Sequence, residues 1–238
     1  MVFVQRTFEF TEAIMKDVIT SSSLAFFIAL STLTSCKQEN EKTSEQIESP
    51  TKPKATEDSL MDGDILFQIS TSGQGKAIQL ATKSPYSHCG ILFKENKDWM
   101  VFEGVQPVKK TLLSEWINRG DGHHFISKRH KHAASLLTSE VKEKMKEEAK
   151  KLVGKNYDLT FEWNDDRIYC SELVYKIYQR GAGVSVGTLQ KLQDFNLNST
   201  VVRAKLKERY GKHIPLNETV ISPGAIFADS NLVEILSE

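Results

Sequence analysis

Cys170, His88 and Glu103 are the residues of this 238-residue chain whose types and surroundings could together break an acyl bond. Cys170 opens the segment CSELVYKIYQR, in which Leu173, Val174, Ile177 and Tyr178 share a helix face with it. A thiol in a first helical turn meets unpaired backbone N–H groups and the positive end of the helix dipole, and both favour the thiolate. Its sulfur is expected to point toward a sheet. A nucleophilic Cys needs a base, and the base needs an orienting group. His88, in YSHCGIL at the start of a predicted strand, supplies the base. If residues 95–98 are a hairpin loop with Lys94 opposite Trp99, then Gly90 stands opposite Glu103. Residues two apart share a face, and so do directly opposed residues. Glu103 is then diagonal to His88 on one side of the sheet, whereas a one-residue slip would move it to the other.

The elements that must carry these residues are legible in outline. A turn at Asp62-Gly63-Asp64 precedes a predicted strand over 65–69, and residues 75–82 read as a short helix stopped by Ser84-Pro85. Strands over 88–93 and 99–103 make the hairpin. A short helix over 112–119 and a short strand over 125–128 follow. Residues 138–153 carry an apolar stripe of Val141, Met145, Ala149, Leu152 and Val153, with Thr138 placed as a cap and Gly154 as a stop. Residues 170–180 form a second amphipathic helix, and the stretch between Pro215 and Pro223 is expected to close the sheet. Hairpins with separate helices point to an α+β fold.

YSHCGIL, VFEGV and GKNYDLTFEWNDDRIYCSELVYKIY, preceded by DGDILFQ, resemble the permuted papain-like amidases. These are the YiiX/YebB-like relatives of the NlpC-type cell-wall cysteine peptidases. The resemblance spans most of residues 61–226. It implies a circularly permuted papain-like fold, an antiparallel sheet packed on helices with the nucleophile at a helix N-terminus. It also implies a Cys nucleophile, a His base and a polar orienting residue, which fall on Cys170, His88 and Glu103. The substrates implied are amide or ester bonds of cell-envelope peptides or of acyl and lipid compounds, with no cofactor and no metal. A catalytically silent ligand-binding domain on the same fold is the alternative. Cys89 departs from the family, in which Val is common after the His.

Other candidates are weaker. Tyr86, Tyr157 and Tyr169 could line a cleft or donate to an oxyanion, or could equally be packing. Cys89 should point away from His88 as an inert core thiol, with a Cys89–Cys170 disulfide as the competing reading. The cluster HHFISKRHKH is spaced too loosely for a metal site and reads as a wet strand edge. Lys and Arg number 31, as do Asp and Glu, so the net charge of zero argues against a nucleic-acid partner. Three Cys are too few for a disulfide scaffold.

The N-terminal segment reads as an address. Residues 24–33 (LAFFIALSTL) are mostly apolar and too short to span a bilayer, and they end at Leu33-Thr34-Ser35-Cys36. This resembles a lipoprotein signal in residues 1–35, with Met15 as a possible true start and Cys36 as the lipidated residue. Residues 36–59 are then a polar tether with a reach of roughly 25 Å, and residues 60–238 are the hydrolase domain. The expectation is a lipid-anchored protein of the cell envelope.

Overall fold

Alternating apolar residues build the middle of a six-stranded antiparallel sheet in the computed structural model, which describes residues 56–238. The expectations of a signal peptide, a lipidated Cys36 and most of the tether lie outside the described residues. In chain order the elements begin β1 (Ile65–Ser70), α1 (Gly73–Thr82), β2 (His88–Glu95), β3 (Asp98–Glu103), β4 (Lys109–Leu112) and α2 (Leu113–Asn118). Next come β5 (Gly120–His130), α3 (Ala133–Leu136), α4 (Ser139–Leu152), β6 (Asn156–Tyr157), β7 (Arg167–Ile168) and α5 (Cys170–Ile177). The chain continues with β8 (Gln190–Lys191), α6 (Thr200–Tyr210), β9 (Thr219–Val220), α7 (Pro223–Phe227) and β10 (Leu232–Ser237). The main sheet has the order β10-β5-β1-β2-β3-β4, and the architecture is α+β.

The β2–β3 register is the one the spacing predicts, with Gly90 opposite Glu103 and Lys94 opposite Trp99. Both strands run one pair further, to Glu95 and Asp98, around a tight turn in which Asn96 has φ 55°. Asn tolerates that left-handed conformation better than most residues. One sheet face buries Phe67, Cys89, Ile91 and Phe102 against α4 and α5, and the other buries Leu66, Leu92 and Val101 against Trp116 of α2. On α4 the stripe is buried at Met145, Ala149 and Leu152, and Thr138 caps it by accepting the Val141 N–H. Val153 falls outside the helix and is exposed.

Three expectations are corrected. The short strand over 125–128 is the centre of β5, an 11-residue strand that takes in His123, His124 and His130. Pairing with both β1 and β10 extends it beyond its apolar residues. The sheet is closed by β10 and not by the stretch before Pro223, whose only strand, β9, pairs with β8 in a separate ribbon. Finally, α5 is not amphipathic in its setting, because all eight of its residues are buried. Residues 163–165 cover its outer side. Trp163 packs edge-on against Tyr175, and Lys176 Nζ reaches Asp165 (2.8 Å) and Glu172 (2.6 Å).

Candidate active site

The hairpin brings the predicted base and acid into contact. His88 Nε2 lies 2.7 Å from Glu103 Oε2. Glu103 ends β3 with no solvent exposure, so its charge needs partners. Besides His88 it accepts hydrogen bonds at Oε1 from Thr111 Oγ1 and Arg119 Nη2, both at 2.5 Å. Burial pushes its pKa up, but the bonds with His88, Arg119 and Thr111 prevail and hold it at about 2. Burial alone would lower the pKa of His88, yet its hydrogen bonds with Cys170 and Glu103 push it up to about 9. With Nε2 engaged by the carboxylate, Nδ1 is the ring nitrogen left for the sulfur.

Cys170 is the first residue of α5 and is 2% exposed. Its thiol is held well below the ordinary range, first by a hydrogen bond from the Cys89 thiol, against burial, and then by His88 and the Cys89 backbone N–H. Burial and the neighbouring sulfur push the Cys89 thiol up. Cys89 does face away from His88 into the core, as the strand alternation predicts, but it is not remote from the chemistry. The start of β2 meets the start of α5, and side chains from both faces of the strand reach the sulfur there. Both cysteines are free. The arrangement sets His88 against a buried carboxylate, with the Cys170 thiol held low beside it.

The three tyrosines separate. Tyr157 accepts a 2.8 Å hydrogen bond from Gln74 Nε2 and lines the cavities on both sides of the site. Tyr169 lines the cavity beside Cys170, but its hydroxyl accepts the Ile221 N–H at 3.1 Å. Tyr86 is placed elsewhere. Its ring stacks 4.2 Å from Phe227 in the core, and it lines neither cavity at the site, so the cleft role suggested for it is corrected. Reasoning from sequence missed Gln74, Thr111 and Arg119. Extending the hairpin arithmetic to β4 would have found Thr111, which faces Val101 and lies diagonal to Glu103. Gln74 comes from α1 and Arg119 from the residue that follows α2, and no local pattern announces them. Among the described residues no cluster of three His, Cys, Asp or Glu side chains is arranged to hold a metal ion.

Residues 59–236 match the family described as permuted papain-like amidase enzyme, YaeF/YiiX, C92 family. The chain belongs to this family. The uncharacterized protein YiiX of Escherichia coli (strain K12) is 51% identical over 176 residues, covering 74% of this chain and 86% of that protein. The crystal structure of metalloprotein yiiX from Escherichia coli O157:H7 matches with a TM-score of 0.72 at 49% identity, over 76% of this chain and 98% of that one. As a permuted papain-like amidase this protein is a cysteine hydrolase.

Proposed function

We propose that this protein is a cell-envelope cysteine amidase that cleaves amide bonds of cell-wall peptides or related acyl compounds through an acyl-enzyme on Cys170. The contact of His88 with Glu103, beside a Cys170 thiol whose pKa is held low, carries this reading. The thiolate attacks the carbonyl carbon, and backbone N–H groups at the start of α5 receive the oxyanion. His88 then gives its proton to the departing amine. Water, deprotonated by His88, attacks the thioester and releases the acid and the free enzyme. Glu103 keeps the imidazole in position and stabilises its charged form without taking the proton.

The solved relative is described as a metalloprotein. Among the described residues no donor set fits a metal, since no cluster of three His, Cys, Asp or Glu side chains is placed to hold one. The envelope location rests on the lipoprotein-like sequence ending at Cys36. Metabolic labelling with a fatty-acid probe should mark the wild type and not Cys36→Ala, and equal labelling of both would remove the anchor from the proposal. For the chemistry, a panel of muropeptides and acyl amides should show turnover that Cys170→Ala abolishes, with a mass-trapped adduct on Cys170. Turnover that survives Cys170→Ala would overturn the acyl-enzyme.

A further inference from the structure

Glu103 gives its two oxygens different partners. Oε2 meets His88 Nε2 at 2.7 Å, while Oε1 accepts from Thr111 Oγ1 and from Arg119 Nη2, both at 2.5 Å. An ionised carboxylate oxygen accepts about two hydrogen bonds, so Oε1 is filled. The carboxylate cannot turn without breaking both bonds, and Oε2 is the oxygen it presents to the imidazole.

Arg119 is itself fixed from behind. It closes α2, and its backbone N–H donates to the Trp116 carbonyl at 3.3 Å. Trp116 is buried, with its ring centre 6.1 Å from that of His88. Gly120 comes next, and a β-carbon on it would lie 2.5 Å from Oε1 of Gln68. Gln68 stands directly opposite His88 in the β1–β2 register. Positions 116, 119 and 120 thus close on the His88–Glu103 pair from the sheet face that α2 covers, whereas Cys170 arrives with α5 on the other.

Exposure separates Arg119 from the groups it supports. Glu103 has none and Thr111 is buried, but the Arg119 side chain is 42% exposed. It lines neither of the two cavities at the site, so water reaches it away from the substrate spaces. The charged groups facing Glu103 are His88 from β2, Arg119 from the end of α2, and the exposed Lys109 opposite it on β4. Cys170 stands beyond His88. A half-exposed guanidinium contributes little as a surface charge, but here it pairs with a carboxylate wholly removed from water, where a missing partner is costly.

We propose that Arg119 is a positioning residue of this site, which acts with Thr111 through Glu103 to keep the carboxylate charged and turned toward His88, and so keeps the imidazole aligned with Cys170. This rests on the amidase reading above, which gives His88 and Cys170 their roles. Without the guanidinium, the buried carboxylate takes up a proton more readily and His88 loses its counter-charge. The thiolate beside His88 is then harder to form, and Cys170 reacts only at higher pH.

The test is the pH dependence of iodoacetamide labelling at Cys170, followed by mass spectrometry, which needs no substrate. Arg119→Met keeps a stem and removes the charge. Its acidic limb should lie about one pH unit above that of the wild type, on the order of tenfold slower labelling along the limb. Arg119→Lys should recover part of the loss, and Thr111→Val should shift the limb less, in the same direction. In Arg119→Ala, guanidinium chloride at about 50 mM, far below denaturing concentrations, should move the limb back. Sodium chloride at equal ionic strength should not. Folding of each variant is checked by its melting curve, and if Arg119→Met does not fold, Arg119→Lys and Thr111→Val carry the comparison. Limbs that coincide with the wild type overturn the inference even where melting temperatures fall, because a merely structural Arg119 would change stability alone. That outcome leaves the amidase reading standing. A wild-type Cys170 no more reactive than an ordinary thiol in mild acid would remove the amidase reading and this inference together.

Discussion

Gly104 and Cys170 meet backbone to backbone: a β-carbon on Gly104 would lie 2.6 Å from the Cys170 nitrogen and 2.8 Å from its Cα. Gly104 directly follows Glu103, so the residue that lets α5 approach is tied to the one that orients His88. Gly104→Ala should therefore displace the start of α5 relative to His88. The expected loss in kcat/KM is on the order of 10²-fold, with the protein still folded by circular dichroism. Unchanged kinetics would mean that the helix does not need this approach.

Cys170→Ala and His88→Ala should each remove at least about 10³-fold of turnover, and the double variant should lose little more, because the pair acts as a unit. Glu103→Gln should cost less, since an amide oxygen still accepts a hydrogen bond from the imidazole. Additive losses in the double variant, measured as kcat/KM, would show that the two residues work separately.

Cys89 helps to hold the Cys170 thiol low, and this has a measurable signature. Iodoacetamide should label wild-type Cys170 in mildly acidic solution, where an ordinary thiol is inert. Cys89→Ala should shift the acidic limb of the labelling rate to higher pH, and Cys89→Ser, which restores a donor, should move it back. The readout is the rate of adduct formation at Cys170 by mass spectrometry. Identical limbs in all three proteins would rule out the hydrogen bond as a source of reactivity.

The His88–Glu103 pair also fixes a pH window for stability. His88 rises from a usual 6.5 to about 9. Its contribution is complete below pH 6.5 and is lost as pH rises through 9. Glu103 falls from a usual 4.5 to about 2, so its contribution is complete above pH 4.5 and is lost as pH falls through 2. The urea-midpoint difference between wild type and Glu103→Gln should thus be largest between pH 4.5 and 6.5 and should shrink above 9. Trp116, whose ring centre is 6.1 Å from that of His88, gives a fluorescence reporter of the same titration. A difference that grows above pH 9 would contradict the assignment.

The parts of the site that lie on one hairpin are legible in the sequence. Period-two alternation and a short loop determine which residues face each other, so the approach of His88 to Glu103 follows from counting. Cys170 was readable by a different route, from its place ahead of an apolar helical run. Contacts that depend on how elements pack were hidden. Arg119 reaches Glu103 only because α2 folds under the sheet, and Cys89 touches Cys170 only because the start of α5 meets the start of β2. The apolar segments of α6 and of residues 192–197 carried no strong signal, since the surface they cover is the small cluster of Leu192, Val202 and Leu206 and not the main core.

The base and its carboxylate sit on neighbouring strands of one hairpin, while the nucleophile arrives from much later in the chain. The two halves therefore assemble at different stages of folding, local pairing first and distant docking afterwards. Before docking, the Cys170 sulfur has neither imidazole nor second thiol beside it and behaves as an ordinary, sluggish thiol. Reactivity thus comes into being only when α5 docks on β2, which makes the rate of alkylation at Cys170 a clock for that contact. It also spares the incompletely folded chain the side reactions that an early thiolate would invite.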